Sequence, residues 1–130
     1  MTGRGAVGWT LVRVVFGLTL AFGHGLGKVT GDISGFAEGV AKIGFPAPMF
    51  FAWCAALAEF LGGIAVALGL LTRPAALFAG FTMLVALFRH RADPFGKMEM
   101  SILFLTVMVA ALLIGGGPFS LDALLRRKKA

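Results

Sequence analysis

The sequence predicts an all-α integral membrane protein, a four-helix bundle with a short amphipathic interfacial helix between helices 1 and 2. Three observations carry that expectation. The chain is 58% hydrophobic and only 14% charged, whereas soluble domains are about 45–50% apolar and about 25% charged. Its mean hydropathy is +0.92 over 130 residues, more apolar surface than one soluble core of that length can hide. The apolar residues also fall into four evenly spaced segments, separated by charges, Gly and Pro. Thirteen Phe and six Met suit a lipid-facing surface, and nineteen Gly suit helices in close contact. Residues 1–130 are expected to form one domain, with spans at about 6–26, 49–71, 74–91 and 97–114 and a basic cytoplasmic tail at 119–130.

The first segment contains a single charge, Arg13. A secretory leader is the competing reading, with Arg4 before an apolar stretch and Ala21-Phe22-Gly23 as a cleavage site. The depth of Arg13 and the three apolar segments that follow favour a retained helix. Between residues 31 and 45, Ile33, Phe36, Val40 and Ile43 fall near helical spacing, with Asp32, Glu38 and Lys42 among them. That pattern predicts an amphipathic helix lying at the membrane surface or capping the bundle, stopped at Gly44 to Pro48.

The second segment, Met49 to Leu71, holds one charge, Glu59, and is long enough to cross a hydrocarbon core of about 30 Å. Thr72-Arg73-Pro74 is a tight connection, with Thr72 a candidate N-cap and Pro74 in the first turn of the next helix. The third and fourth apolar runs are only 15 residues each and span if their charged ends snorkel. Gly115 to Pro118 ends the fourth, and Ser120 is positioned to cap a tail helix carrying Asp122 in its first turn. For orientation, Arg4, Arg73 and the run Arg126 to Lys129 set six cations against Lys28, Lys42, Arg89, Arg91 and Lys97 on the other side. The dense tail decides for both termini in the cytoplasm and for an inner (plasma) membrane protein. The net charge of +6 is thereby explained as a topology signal, and no nucleic-acid partner is expected.

Ionisable groups within spans are expensive and therefore candidate sites. Arg13 and His24 share a face of segment one, with Lys28 one turn further on. Glu59 shares its face with Ala52, Ala55, Ala56, Gly62 and Gly63, so neighbouring backbones are expected to approach closely there. Counting about 1.5 Å per residue puts Arg13 about 9 Å deep, Glu59 about 18 Å, and His24, His90 and Glu99 roughly 22–25 Å from the cytoplasmic edge. Three readings follow. Arg13–Glu59 and His/Arg–Glu99 pairs could lock the helices together. His24, Lys28, Glu59, His90 and Glu99 could form a pocket for a quinone-like molecule or a small anion. Or His24, His90, Glu59 and Glu99 could ligate a metal, although no HxxH or ExxH spacing supports that. Lys28, Arg89 and Arg91 taken singly read as snorkelling cations.

Cys54 stands alone, so no intrachain disulfide or CxxC exists. Walker, GxSxG, CxxCH and EF-hand patterns are absent. Gly23 and Gly27 form a GxxxG that is weak in so Gly-rich a chain, and a homo-oligomer stays open.

Arg13, Phe16-Gly17, Phe22-Gly23-His24-Gly25 and Lys28 resemble the first helix of the DoxX family. So do Ala58-Glu59-Phe60-Leu61-Gly62-Gly63, Leu68-Gly69-Leu70-Leu71-Thr72-Arg73, and the late Gly117 with Ser120-Leu121-Asp122. The resemblance implies a four-helix membrane bundle associated with redox chemistry. The family takes its name from membrane subunits linked to archaeal thiosulfate:quinone oxidoreduction and terminal oxidases; other relatives act as partners or assembly factors. It fixes no catalytic residue, and the absence of a thiol pair argues against sulfur relay by this chain alone. Two functional expectations result: a redox-complex subunit binding a quinone, at most an oxidoreductase together with a protein partner, or a non-enzymatic scaffold.

Overall fold

In the computed structural model, which describes residues 1–130, the first apolar segment forms one continuous helix, α1 (Gly3–Thr30). It is longer at both ends than the sequence boundaries suggest, because no proline occurs before Pro46 to stop it. One π-turn, Ala21–Gly25, interrupts its regular winding. The other helices are α2 (Ile33–Ile43), α3 (Pro48–Leu68), α4 (Thr72–Arg89), α5 (Phe95–Ile114) and α6 (Leu121–Lys129), and there is no strand. Three of them, α1, α3 and α5, are long and apolar enough to cross a membrane. The fourth long helix, α4, is 18 residues and includes Arg73 and Arg89 near its two ends, so little uninterrupted apolar length is left.

The four long helices pack as α1 on α3, α3 on α4 and α4 on α5, with α5 touching α1. Backbones meet most closely between α1 and α3. A Cβ added to Gly17 would lie 2.6 Å from the Gly63 carbonyl oxygen, and one on Gly63 would lie 2.7 Å from that of Gly17. At the π-turn, a Cβ on Gly25 would run into the backbone of Phe60. These glycines let the helices approach to backbone contact, which is how membrane helices gain packing energy when apolar burial gives no net drive. A core of Leu20, Val66, Ala79, Met83, Phe104 and Met108 fills the centre. Outward faces carry exposed Val7, Leu11, Leu61, Leu77 and Leu113, a lipid-facing surface by composition.

Each end of the assembly has its own fastening. At one end, α3 stops at Gly69 in the left-handed region, and Leu71 also adopts a left-handed φ of 47°, which is costly for a branched side chain. Thr72 is not the N-cap expected from sequence; it is the first residue of α4, and Asp122 of the tail takes over the capping. The Asp122 carboxylate accepts from Leu71 N (2.8 Å), Thr72 N (3.0 Å) and Thr72 Oγ1 (2.7 Å), and Asp122 N donates to the Gly69 carbonyl at 2.8 Å. Burial pushes the Asp122 carboxyl up, but the hydrogen bonds from Thr72 and Leu71 outweigh it and hold the group below the ordinary carboxylate range. Ser120 caps α6 as expected, its Oγ accepting from Ala123 N at 3.2 Å.

At the other end, Asp32 caps α2 through Ser34 N (3.0 Å), and Gly44 ends it with a φ of 105°. Ala37 and Val40 of α2 pack with Ala52 of α3, supported by Ile33, Phe36, Phe45 and Phe51. The amphipathic helix therefore lies over the open end of the long helices as a cap.

Candidate functional site

Two of the sequence candidates meet beneath that cap. Lys28, near the end of α1, places its Nζ 2.5 Å from Glu59 Oε2 at the middle of α3. The Glu59 side chain is only 3% exposed and that of Lys28 27%, so the carboxylate lies in the interior and its partner reaches in from the rim. Lys28 Nζ also lies 4.6 Å from the centre of the Phe36 ring on α2, a cation–π contact that keeps the ammonium over the cavity mouth.

The Arg13–Glu59 pair expected from sequence does not form. Arg13 is 1% exposed, and its guanidinium donates instead to three carbonyls: Val66 (2.7 Å) and Ala67 (2.5 Å) through Nη1, and Phe119 (2.7 Å) through Nη2. The physical reason is local. Val66 and Ala67 belong to the last turn of α3, where regular intrahelical pairing runs out and the Val66 carbonyl takes only the Gly69 cap bond from the backbone. They lie beside Arg13, whereas Glu59 lies two helical turns away along α3 beside the closer Lys28. Arg13 thus ties α1, α3 and the tail together at the end opposite the cap; its Nε is buried without a partner.

A cavity of about 300 Å³ opens between α1, α2, α3 and α4, with Lys28, Glu59, Arg89 and His90 as its ionisable lining. Its walls are apolar and largely aromatic: Phe36, Phe45, Phe51, Phe78 and Phe81, with Val40, Val85 and Cys54. Ala55 and Ala58 flank Glu59 on the cavity side. The small residues around Glu59 therefore do two jobs. Gly63 admits a neighbouring backbone, as expected, while the alanines leave open volume.

Arg89 is the residue that sequence reasoning undervalued. Read there as a snorkelling cation, it lines the cavity with its guanidinium over Gly39 of α2, where an added Cβ would come within 2.6–2.7 Å of Nη1, Cζ and Nη2. The signal was available as a Gly on the otherwise apolar face of an amphipathic helix. His90 lines the same cavity, and its Nδ1 lies 2.6 Å from Asp93 Oδ2. That hydrogen bond holds the Asp93 carboxyl below its ordinary range and fixes the ring orientation.

The other candidates are not brought to this site. His24 is half-buried and stands edge-on to Phe104, ring centres 5.3 Å apart, without a polar partner. It faces α5 because the π-turn that contains it shifts the register of α1 by a fraction of a turn. Glu99 is exposed on α5 and makes neither an ion pair nor a hydrogen bond, so the expected His/Arg–Glu99 pair is absent. No three His, Cys, Asp or Glu side chains come together in a geometry that could hold a metal ion. Of the set His24, His90, Glu59 and Glu99, only Glu59 and His90 line the cavity, while His24 and Glu99 lie away from it.

Comparison with known proteins bears on the family and the membrane setting of the chain. The chain is 36% identical over 131 residues to Inner membrane protein YqjF of Escherichia coli (strain K12), covering 94% of this chain and 95% of that protein. It is 31% identical over 118 residues to Putative oxidoreductase CatD of Bacillus subtilis (strain 168), covering 89% of this chain and 85% of that one. No solved structure is a significant match. The DoxX family pattern matches residues 8–92, a stretch that holds Arg13, the Lys28–Glu59 pair, all of α2 and the Arg89-His90 end of α4. The chain is a membrane protein that belongs to the DoxX family.

Proposed function

We propose that this chain is the membrane-embedded binding subunit of a redox system, holding the oxygen-bearing head of a quinone-like molecule in the cavity beneath α2. The observation that carries the reading is the Lys28–Glu59 pair, which opens into an aromatic-walled cavity of about 300 Å³ with Arg89 as a second cation. Pockets of this kind, apolar walls with a few convergent polar groups, are how proteins bind small amphiphiles. Lys28 and Arg89 can donate hydrogen bonds to ring oxygens, Glu59 and His90 can exchange the protons of a quinol, and the phenylalanines can stack on the ring. The relative named as an oxidoreductase is consistent with a redox role. A protein partner supplies the electron-transfer centre in this reading.

The accompanying topology is four spans, with α4 crossing by snorkelling Arg73 and Arg89 towards the two interfaces. Both termini lie in the cytoplasm, which puts the cavity in the periplasmic half. The test is mass spectrometry of small molecules retained by the protein extracted from native membranes in polymer-bounded discs. A stoichiometric quinone or quinol, lost in a Lys28→Gln/Glu59→Gln variant, supports the proposal. A clean chain with a stoichiometric soluble protein supports a scaffold in its place.

A further inference from the structure

The tail helix α6 is amphipathic in an unusual direction. Leu121, Leu124 and Leu125 share one helical face by their spacing, with Lys128 one turn beyond. Ala123, two positions on from Leu121 and so on the opposite side, is the buried residue of this helix. The apolar face is therefore turned away from the other helices: Leu121, Leu124 and Leu125 are 37%, 48% and 47% exposed, and Phe119 just ahead of them is 58% exposed. Nothing in this chain covers that face. Yet the helix is not loosely attached. Asp122 is locked into the α3–α4 turn by four hydrogen bonds, and Arg13 holds the Phe119 carbonyl. Its presented face is thus set by the fold.

We infer that α6 is a rigid interfacial foot whose partner is an anionic lipid surface. Four consecutive cations, Arg126 to Lys129, follow the leucines. Apolar side chains beside a dense basic run are the combination by which surface helices insert between acyl chains while their cations meet lipid phosphates. Leu71, whose N–H bonds Asp122 at the start of the helix, is itself 65% exposed and adds one more uncovered apolar side chain at this end. A protein partner of equal apolarity would not call for four adjacent cations; a layer of acidic head groups does.

The test uses the full chain with Cys54→Ser and a nitroxide attached at Leu124→Cys, in discs of phosphatidylcholine alone and of phosphatidylcholine with phosphatidylglycerol. With the anionic lipid, the label is expected to be reached by lipid-soluble oxygen and shielded from a water-soluble nickel reagent. High salt, or replacing Arg126, Arg127, Lys128 and Lys129 together by Gln, should reverse that preference. Those four side chains are exposed, so the variant is expected to fold, and its circular dichroism and melting confirm this independently. A label equally open to water in both lipids overturns the inference. So does a short label-to-label distance in dipolar spectroscopy, which would mean that a second copy covers the leucines.

Discussion

Lys28 and Glu59, 31 positions apart in sequence, meet at 2.5 Å where the end of α1 crosses the middle of α3. The carboxylate is almost fully enclosed and its cation reaches in from the rim. A buried pair of this type is weak evidence of net stability, yet removing one partner leaves an uncompensated charge. Lys28→Met is therefore expected to destabilise the detergent-purified protein by about 1–3 kcal/mol, allowing for the partial exposure of Lys28. Adding Glu59→Gln to Lys28→Met should restore part of the loss. A thermal-melting double-mutant cycle measures the coupling, and strict additivity would show that the pair is energetically silent.

Arg13 gives the contrasting case, a buried cation answered by carbonyls. Arg13→Lys keeps the charge but cannot reach Val66, Ala67 and Phe119 together, because a single ammonium lacks the forked geometry of guanidinium. A loss of about 2–4 kcal/mol is expected, with Lys rescuing little relative to Gln. Arg13→Gln combined with Glu59→Gln should be additive in melting experiments, since the two residues share no partner.

Gly17 and Gly63 should tolerate no side chain. Gly17→Val forces α1 away from α3 at backbone contact, with an expected loss of about 1–3 kcal/mol. Gly27→Ala serves as a control, because an added Cβ there meets nothing within 4 Å. Equal melting temperatures for the two variants would contradict the close approach.

Asp122 makes the tail contact pH-sensitive in a defined direction. Its folded pKa lies below the ordinary value, so its contribution is fully present above the unfolded carboxylate pKa of about 3.9. That contribution is lost as pH falls through the lower folded value. Below roughly pH 4, proteolytic nicking at the tail should rise in the wild type, and Asp122→Asn should show the raised rate already at neutral pH. An unchanged rate in Asp122→Asn would show that the carboxylate does not hold α6.

How far the sequence alone reaches can be seen from these residues. Helix existence was readable, since the apolar segments are long and Gly44 and Gly115, both at positive φ, punctuate them. Gly69, also at positive φ, ends α3 short of the Leu71 boundary expected from sequence. Ser120 as a cap and the amphipathic α2 were readable from local pattern. The partner of Glu59 was not. Depth counted along straight helices favours Arg13, but it omits which faces meet and how close Lys28 lies. His24 was misplaced for a related reason: a π-turn shifts register by an amount that no residue spacing announces. Arg89 over Gly39 depends on α2 packing on α3 within reach of the long side chain from α4, a tertiary contact with only a glycine to signal it.

The most direct test of the central claim is binding of a short-chain benzoquinone to the purified protein in lipid discs, followed by calorimetry. The comparison is between wild type, Lys28→Gln, Arg89→Gln and His24→Leu, with each fold checked by circular dichroism. Saturable one-to-one binding is expected in the wild type, weakened about tenfold or more in the Lys28 and Arg89 variants through loss of a hydrogen bond to the head group. It should be unchanged in His24→Leu, whose side chain lies against Phe104 outside the cavity. No saturable binding to the folded wild type, or equal affinity in all four proteins, would contradict the assignment of the Lys28–Glu59 cavity as the binding site.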